Sequence, residues 1–146
     1  MRPQPGPARI ALAVLLTAAG PASAGAPMSP VTTLPAFVAA DGQIVEVDAI
    51  YVEVDARMRP TGAPVLAGHV DLQLADGASL MLEPHWSEAA RRPADERARF
   101  GGASVRVRGT ARAVCPEPEI PVAARIGACL QGAVVVGPAG ARPPAG

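Results

Sequence analysis

Residues 43 to 58, QIVEVDAIYVEVDARM, alternate apolar with charged side chains over an unusually long stretch. Alternation with period two demands an extended chain with one face toward a core and the other toward solvent. Val45 and Val47 alternate with Glu46 and Asp48; further along, the apolar set is Val52, Val54, Ala56 and Met58, against Glu53, Asp55, Arg57 and Arg59. Moving from odd to even apolar positions requires an inserted residue or a sharp bend near Ala49 to Tyr51. The pattern predicts one long bulged strand that belongs to both halves of a small curled sheet.

GHVDLQLADGASLMLEP follows as a hairpin, and its apolar phase selects the turn. A two-residue loop at Asp76 and Gly77 would send Leu80 and Leu82 outward, because a one-residue slip flips every side chain. A three-residue loop, Ala75, Asp76 and Gly77, pairs Leu72 with Leu80 and Val70 with Leu82. Gly77 then takes the left-handed position of a bulged turn. This register places His69, Asp71, Gln73, Ser79, Met81 and Glu83 on the outer face, with His69 opposite Glu83.

After Trp86 the pattern turns helical. Ser87 suits a cap and Pro93 the first turn of a second piece, Asp95 and Arg99 stand four apart, and Gly101 with Gly102 ends the segment. ASVRVRGTARAV reads as a strand with Val105 and Val107 inward and Arg106 and Arg108 outward; ACLQGAVVV, residues 128 to 136, reads as the last strand. The predicted class is all-β with one short helix, in the order β-β-β-α-β-β.

With that order the chain resembles the OB-fold superfamily, a five-stranded Greek-key barrel. The resemblance is one of topology and covers about residues 40 to 136. It is carried by the Asp76, Gly77 hairpin, by the helix between the third and fourth strands, and by GASVRVRGTA, which looks like the fourth strand of many such domains. Small exported bacterial OB-fold proteins share the plan of signal peptide plus one barrel but lack the intervening helix, so no functional residue carries over. Another small antiparallel barrel or an open sandwich is the alternative. In an OB-like barrel the helix covers an open end, which makes Trp86 and Phe100 the expected plug.

Outside the barrel, MRPQPGPARIALAVLLTAAGPASAGAP has the three-part build of a secretory signal: Arg2 and Arg9, an apolar run from Ile10 to Ala19, and Ala22, Ser23, Ala24 before the cut. The run is too short for a bilayer, which takes about 20 residues. The expected organisation is a signal peptide at 1–24, a flexible segment at 25–38, a barrel domain at 39–136 and a disordered tail at 137–146. The expected location is periplasmic or extracellular, with no stable membrane insertion after cleavage.

Cys115 and Cys129 frame CPEPEIPVAARIGAC, between strands that should be neighbours in an OB-like barrel. In an exported protein that favours a disulfide, worth about 3 kcal/mol for a loop of this length. The other reading, a metal held by both cysteines with His69 or His85, lacks any closely spaced cysteine pair.

Charge narrows the partners. All 13 basic residues are arginine, against 13 acidic residues; removing Arg2 and Arg9 leaves 11 against 13, a net of minus two. With Phe37, Tyr51, Trp86 and Phe100 as the only aromatics, single-stranded nucleic-acid binding is disfavoured. By fold analogy, a ligand would meet the outer face of the second and third strands and the adjoining loops. That face offers His69, Asp71, Gln73 and Glu83, joined by Arg59 and Arg125. The mixture suits a cation, a sugar or a protein, and is equally what a solvated sheet face carries. A lone histidine needs positioned partners for chemistry, so His85 is read as a local hydrogen-bonding residue.

No nucleophile or phosphate-gripping motif is present. The leading expectation is an exported, non-catalytic binding or adaptor domain without a cofactor, acting on an unknown envelope protein or small ligand. A small metal-dependent enzyme on the His69 and Glu83 face is the alternative.

Overall fold

The computed structural model describes residues 28–54, 67–85, 87–116 and 127–140. Five strands, β1 (Ile44–Glu53), β2 (Val70–Gln73), β3 (Ser79–Leu82), β4 (Ser104–Arg112) and β5 (Cys129–Pro138), close into a barrel in the order β1-β2-β3-β5-β4. The β3–β5 pair is parallel and the others are antiparallel. This topology is compatible with an OB-like fold. Two short helices, α1 (Leu34–Ala39) and α2 (Ala94–Phe100), flank the strands. Among the described residues no helix is long and apolar enough to cross a membrane.

The hairpin has the register that its apolar phase demands. Leu72 faces Leu80 and Gln73 faces Ser79, the Leu74 N–H donates to Ala78 O at 2.8 Å, and Gly77 is left-handed at φ +82°. Asp76 completes the turn: one carboxylate oxygen accepts from Ala78 N–H, the other from Leu34 N–H at 2.8 Å, so the hairpin tip also caps the start of α1. Those backbone donors, Leu34 first, hold the Asp76 carboxyl below its ordinary value.

β1 does serve both halves of the sheet, pairing with β4 from Ile44 to Ile50 and with β2 from Ile50 to Glu53. The expected bulge near Ala49 to Tyr51 is absent. Both registers run unbroken, and the odd positions Val45, Val47, Ala49 and Tyr51 all point inward while Ile50 and Val52 are exposed. Strand twist, accumulated residue by residue, carries β1 across the barrel corner without an insertion. The irregularities lie between β4 and β5 instead, where the register shifts at Arg106/Val107 and at Arg108/Thr110. Beside the second shift, a Cβ on Gly109 would stand 2.9 Å from Gln131 O and 2.9 Å from Leu130 Cγ. Only glycine lets these two strands approach so closely there.

Val105 and Val107 face inward as expected and join Leu72, Leu80, Leu82 and Leu130 in one core. Outside, Arg106 makes a two-pronged ion pair with Asp48, its directly opposed neighbour on β1, at 2.7 and 2.8 Å.

The expectation of a loose segment over 25–38 fails for its described part. Val31 bridges Val47, Leu34 to Ala39 form a helix with proline in its first turn, and Phe37 is fully buried in the core. Proline at that place lacks only an N–H that would have no helical partner anyway. Of the tail expected from 137, the first residues belong to the barrel, since β5 continues to Pro138 and Ala139 N–H bonds Ser104 O; 141–146 lie outside the described residues. The two helices close opposite ends: α1 sits where β1 begins and β4 finishes, α2 where β1 finishes and β4 begins.

Candidate functional site

The segment between β3 and α2 sets the chemistry of the second and third strands. Ser87 caps a single 3₁₀ turn, Glu88–Ala90, accepting from Ala90 N–H, and Arg92 N–H donates to Gly68 O at 2.8 Å. The chain thus doubles back over the start of β2 and lays His85 against it. His85 Nε2 is 3.1 Å from Asp71 Oδ1, and the His69 and His85 rings meet edge to face at 5.4 Å.

The face expected to be solvated is therefore closed. His69 is 2 %, Asp71 8 %, Glu83 4 % and His85 4 % exposed; of the residues expected on this face, Gln73 and its cross-strand neighbour Ser79 stand in solvent. Met81, on the same side, is also buried, and its N–H donates to Ala128 O beside Cys129. Alternation in β2 and β3 correctly separates the two faces, but it cannot tell water from a covering loop. Arg59 and Arg125 lie outside the described residues, as does Trp86. The Phe100 ring lies 6.3 Å from that of Tyr51 and is partly buried against the core.

Glu83, expected opposite His69, has its carboxylate turned to β5. Its backbone is left-handed at φ 66°, an uncommon conformation for a residue with a side chain, and it leaves the strand's alternation just before Pro84. Its carboxylate instead accepts from Ala133 N–H on β5. Arg92 Nη1 donates to the C=O of the same residue at 3.1 Å. The same guanidinium forms a two-pronged pair with Glu96 at 2.8 and 2.9 Å, and Glu96 accepts from the Tyr51 hydroxyl at 2.9 Å. The helix support expected from Asp95 and Arg99 is thus made by Arg92 and Glu96, at the same spacing. Sequence reasoning missed this chain of contacts, although the four-residue interval from Arg92 to Glu96 was there to read.

The electrostatics follow from the geometry. The Glu96 hydrogen bond holds Arg92 above its ordinary value, with Glu96, Tyr51 and Glu83 charges adding to it against the cost of burial. Burial first, and then the hydrogen bond to Glu96, push the Tyr51 hydroxyl well above its ordinary 10.0. A raised folded pKa means that the neutral hydroxyl contributes stability in full below pH 10.0, and that this stability is lost as pH rises above it. Tyr51 is the only tyrosine. In an alkaline titration its phenolate absorbance is therefore expected to appear above the ordinary value and together with loss of barrel circular dichroism. Ionisation near pH 10.0 in the folded protein would contradict the buried Tyr51–Glu96 bond.

Chemically, the Asp71–His85 pair has the geometry of half of an acid–base relay. His85 Nδ1 is buried with no hydrogen-bond partner among the described residues, so no hydroxyl or thiol is positioned there for activation. Among the described residues no group of three or more His, Cys, Asp and Glu side chains is arranged to hold a metal ion. The cysteines form the expected disulfide, with Cα atoms 5.2 Å apart, which is compatible with an oxidising, exported location.

An open groove of about 310 Å³ lies elsewhere, between α2 and the later part of β5. Arg92, Asp95, Arg99 and Phe100 line one side, and Val134 to Gly137 the other. Comparison with family models, with curated proteins and with solved structures finds no match to this chain.

Proposed function

We propose that this protein is an exported, non-catalytic binding or adaptor domain with an OB-like barrel. The observation that carries the reading is the state of its reactive side chains. Asp71, Glu83, Glu96 and His85 are engaged within the chain, in positions where burying an unpaired polar group would be costly. They tie β2 to the segment after β3, β3 to β5, and α2 to β1. Side chains used in this way hold a barrel together, and contact with a partner is left to the surface.

The test is the mass of the purified protein measured native and then denatured, followed by binding of purified candidates retained from an envelope extract. The expected result is a native mass equal to the chain's own and a saturable complex with a protein partner. A metal ion or small molecule present in the native mass and lost on denaturation would replace this reading by the metal-dependent one.

A further inference from the structure

The groove beside α2 exposes an unfinished strand edge. The β3–β5 register covers Met81↔Cys129 and Leu82↔Leu130, and one further bond joins Glu83 N–H to Leu130 O. Beyond this point β5 continues to Pro138 with β4 on one side only. At Ala133 the missing neighbour is replaced by side chains: the Glu83 carboxylate takes the N–H and the Arg92 guanidinium the C=O. Both peptide groups of Ala133 thus face away from β4. Peptide orientation alternates along a strand, so those of Val135 face the same way, into the groove. Among the described residues neither a strand nor a side chain meets them there.

The surroundings select what can pair with this edge. Val134 and Val136 flank Val135 at 63 % and 55 % exposure. Arg99 lies 5.0 Å over the Phe100 ring on the α2 side, and Arg108 stands opposite Val134 on β4. Among the described residues neither arginine has a carboxylate at ion-pair distance. Arg92 is already neutralised by Glu96, which leaves Asp95 and Arg99 as the unpaired charges lining the groove among the described residues, with Arg108 next to it on β4.

From this arrangement we propose that the β5 edge at Val134–Gly137 takes a short extended segment of an acidic partner protein by strand addition. The Val135 N–H and C=O supply the pairing, Val134 and Val136 the apolar contact, and Arg99 and Arg108 the preference for acidic side chains. The inference rests on the adaptor reading and names the site through which it acts.

Amide spectra of ¹⁵N-labelled protein test it, with a blocked peptide of about five residues alternating valine and glutamate as the probe, and its lysine counterpart as control. The expected result has three parts. The Val135 amide exchanges rapidly without peptide, the amides of Val134 to Gly137 shift saturably with the glutamate peptide alone, and Arg99→Glu weakens that binding about tenfold. Arg99 is a surface residue outside the core, so the variant should fold. A Val135 amide already protected without peptide would overturn the proposal, because the edge would then be covered by the chain itself or by a second copy. Equal binding of the lysine peptide, or no shift at millimolar peptide, would overturn it too. Shifts confined to another face would reject the β5 edge while leaving the adaptor reading intact, whereas a metal in the native mass would reject that reading itself.

Discussion

Phe37→Ala is expected to destabilise the protein by about 3–5 kcal/mol, the cost of removing a fully buried aromatic ring from a core that only partly collapses around the gap. Phe37 is 0 % exposed, and it packs with Val45, Val47 and the other inward residues of the barrel. The helix that carries it is only six residues long, too short to stand alone in water. Its order comes from three attachments: the Phe37 ring in the core, the Val31–Val47 bridge, and the Asp76 carboxylate on Leu34 N–H. Domains of this size have net stabilities of only about 5–15 kcal/mol, so the loss is a large part of the whole. Denaturant unfolding of the variant is the check. A midpoint equal to that of the parent would mean that α1 does not belong to the folded unit.

Opening the disulfide is the second large effect. Cys115 and Cys129 are 14 residues apart, and a closed loop of that length is worth about 3 kcal/mol through the entropy it removes from the unfolded chain. The position of the bridge adds a mechanical consequence. Cys129 is fully buried at the start of β5, where it is in register with both Met81 of β3 and Arg112 of β4. The parallel β3–β5 seam is short, and the carbonyl of Ala128, next to the bridge, accepts from Met81 N–H. Reductant, or Cys115→Ala, is therefore expected to lower the melting temperature by roughly 10–20 °C. The amides along the seam, Met81 and Glu83, should lose protection before those shared by β1 and β4. Unchanged melting in reductant would show that the seam is held without the bridge.

Both effects bear on function through the same geometry. Met81 is buried beside the bridge and the turn after β3 lays His85 on Asp71, so most of the face that analogy would assign to a ligand belongs to the interior. What stays open is the later part of β5. There Glu83 and Arg92 occupy the N–H and C=O of Ala133, and those of the next residue that faces the groove, Val135, are left to whatever pairs with them.

The sequence by itself determined the features that depend on local periodicity. Alternating valines specify the inward faces of β1 and β4, because side chains in a strand have no other choice than to alternate. The positions of Leu72, Leu74, Leu80 and Leu82 select the three-residue turn, because any other register would expose half of them. Ser87, Pro93 and Gly101 bound the helical pieces through preferences that act within one turn. Only the tertiary structure decided what covers each face. Whether Asp71 and His69 meet water or His85 depends on where a turn some 15 residues later folds back, and whether Phe37 lies in a loose end or a core depends on β1 and the hairpin tip closing over it. Twist, too, summed over β1, carried the strand across the corner where alternation alone had called for a bulge. Burial is a property of the surfaces that meet, and those surfaces come from parts of the chain that no local pattern connects.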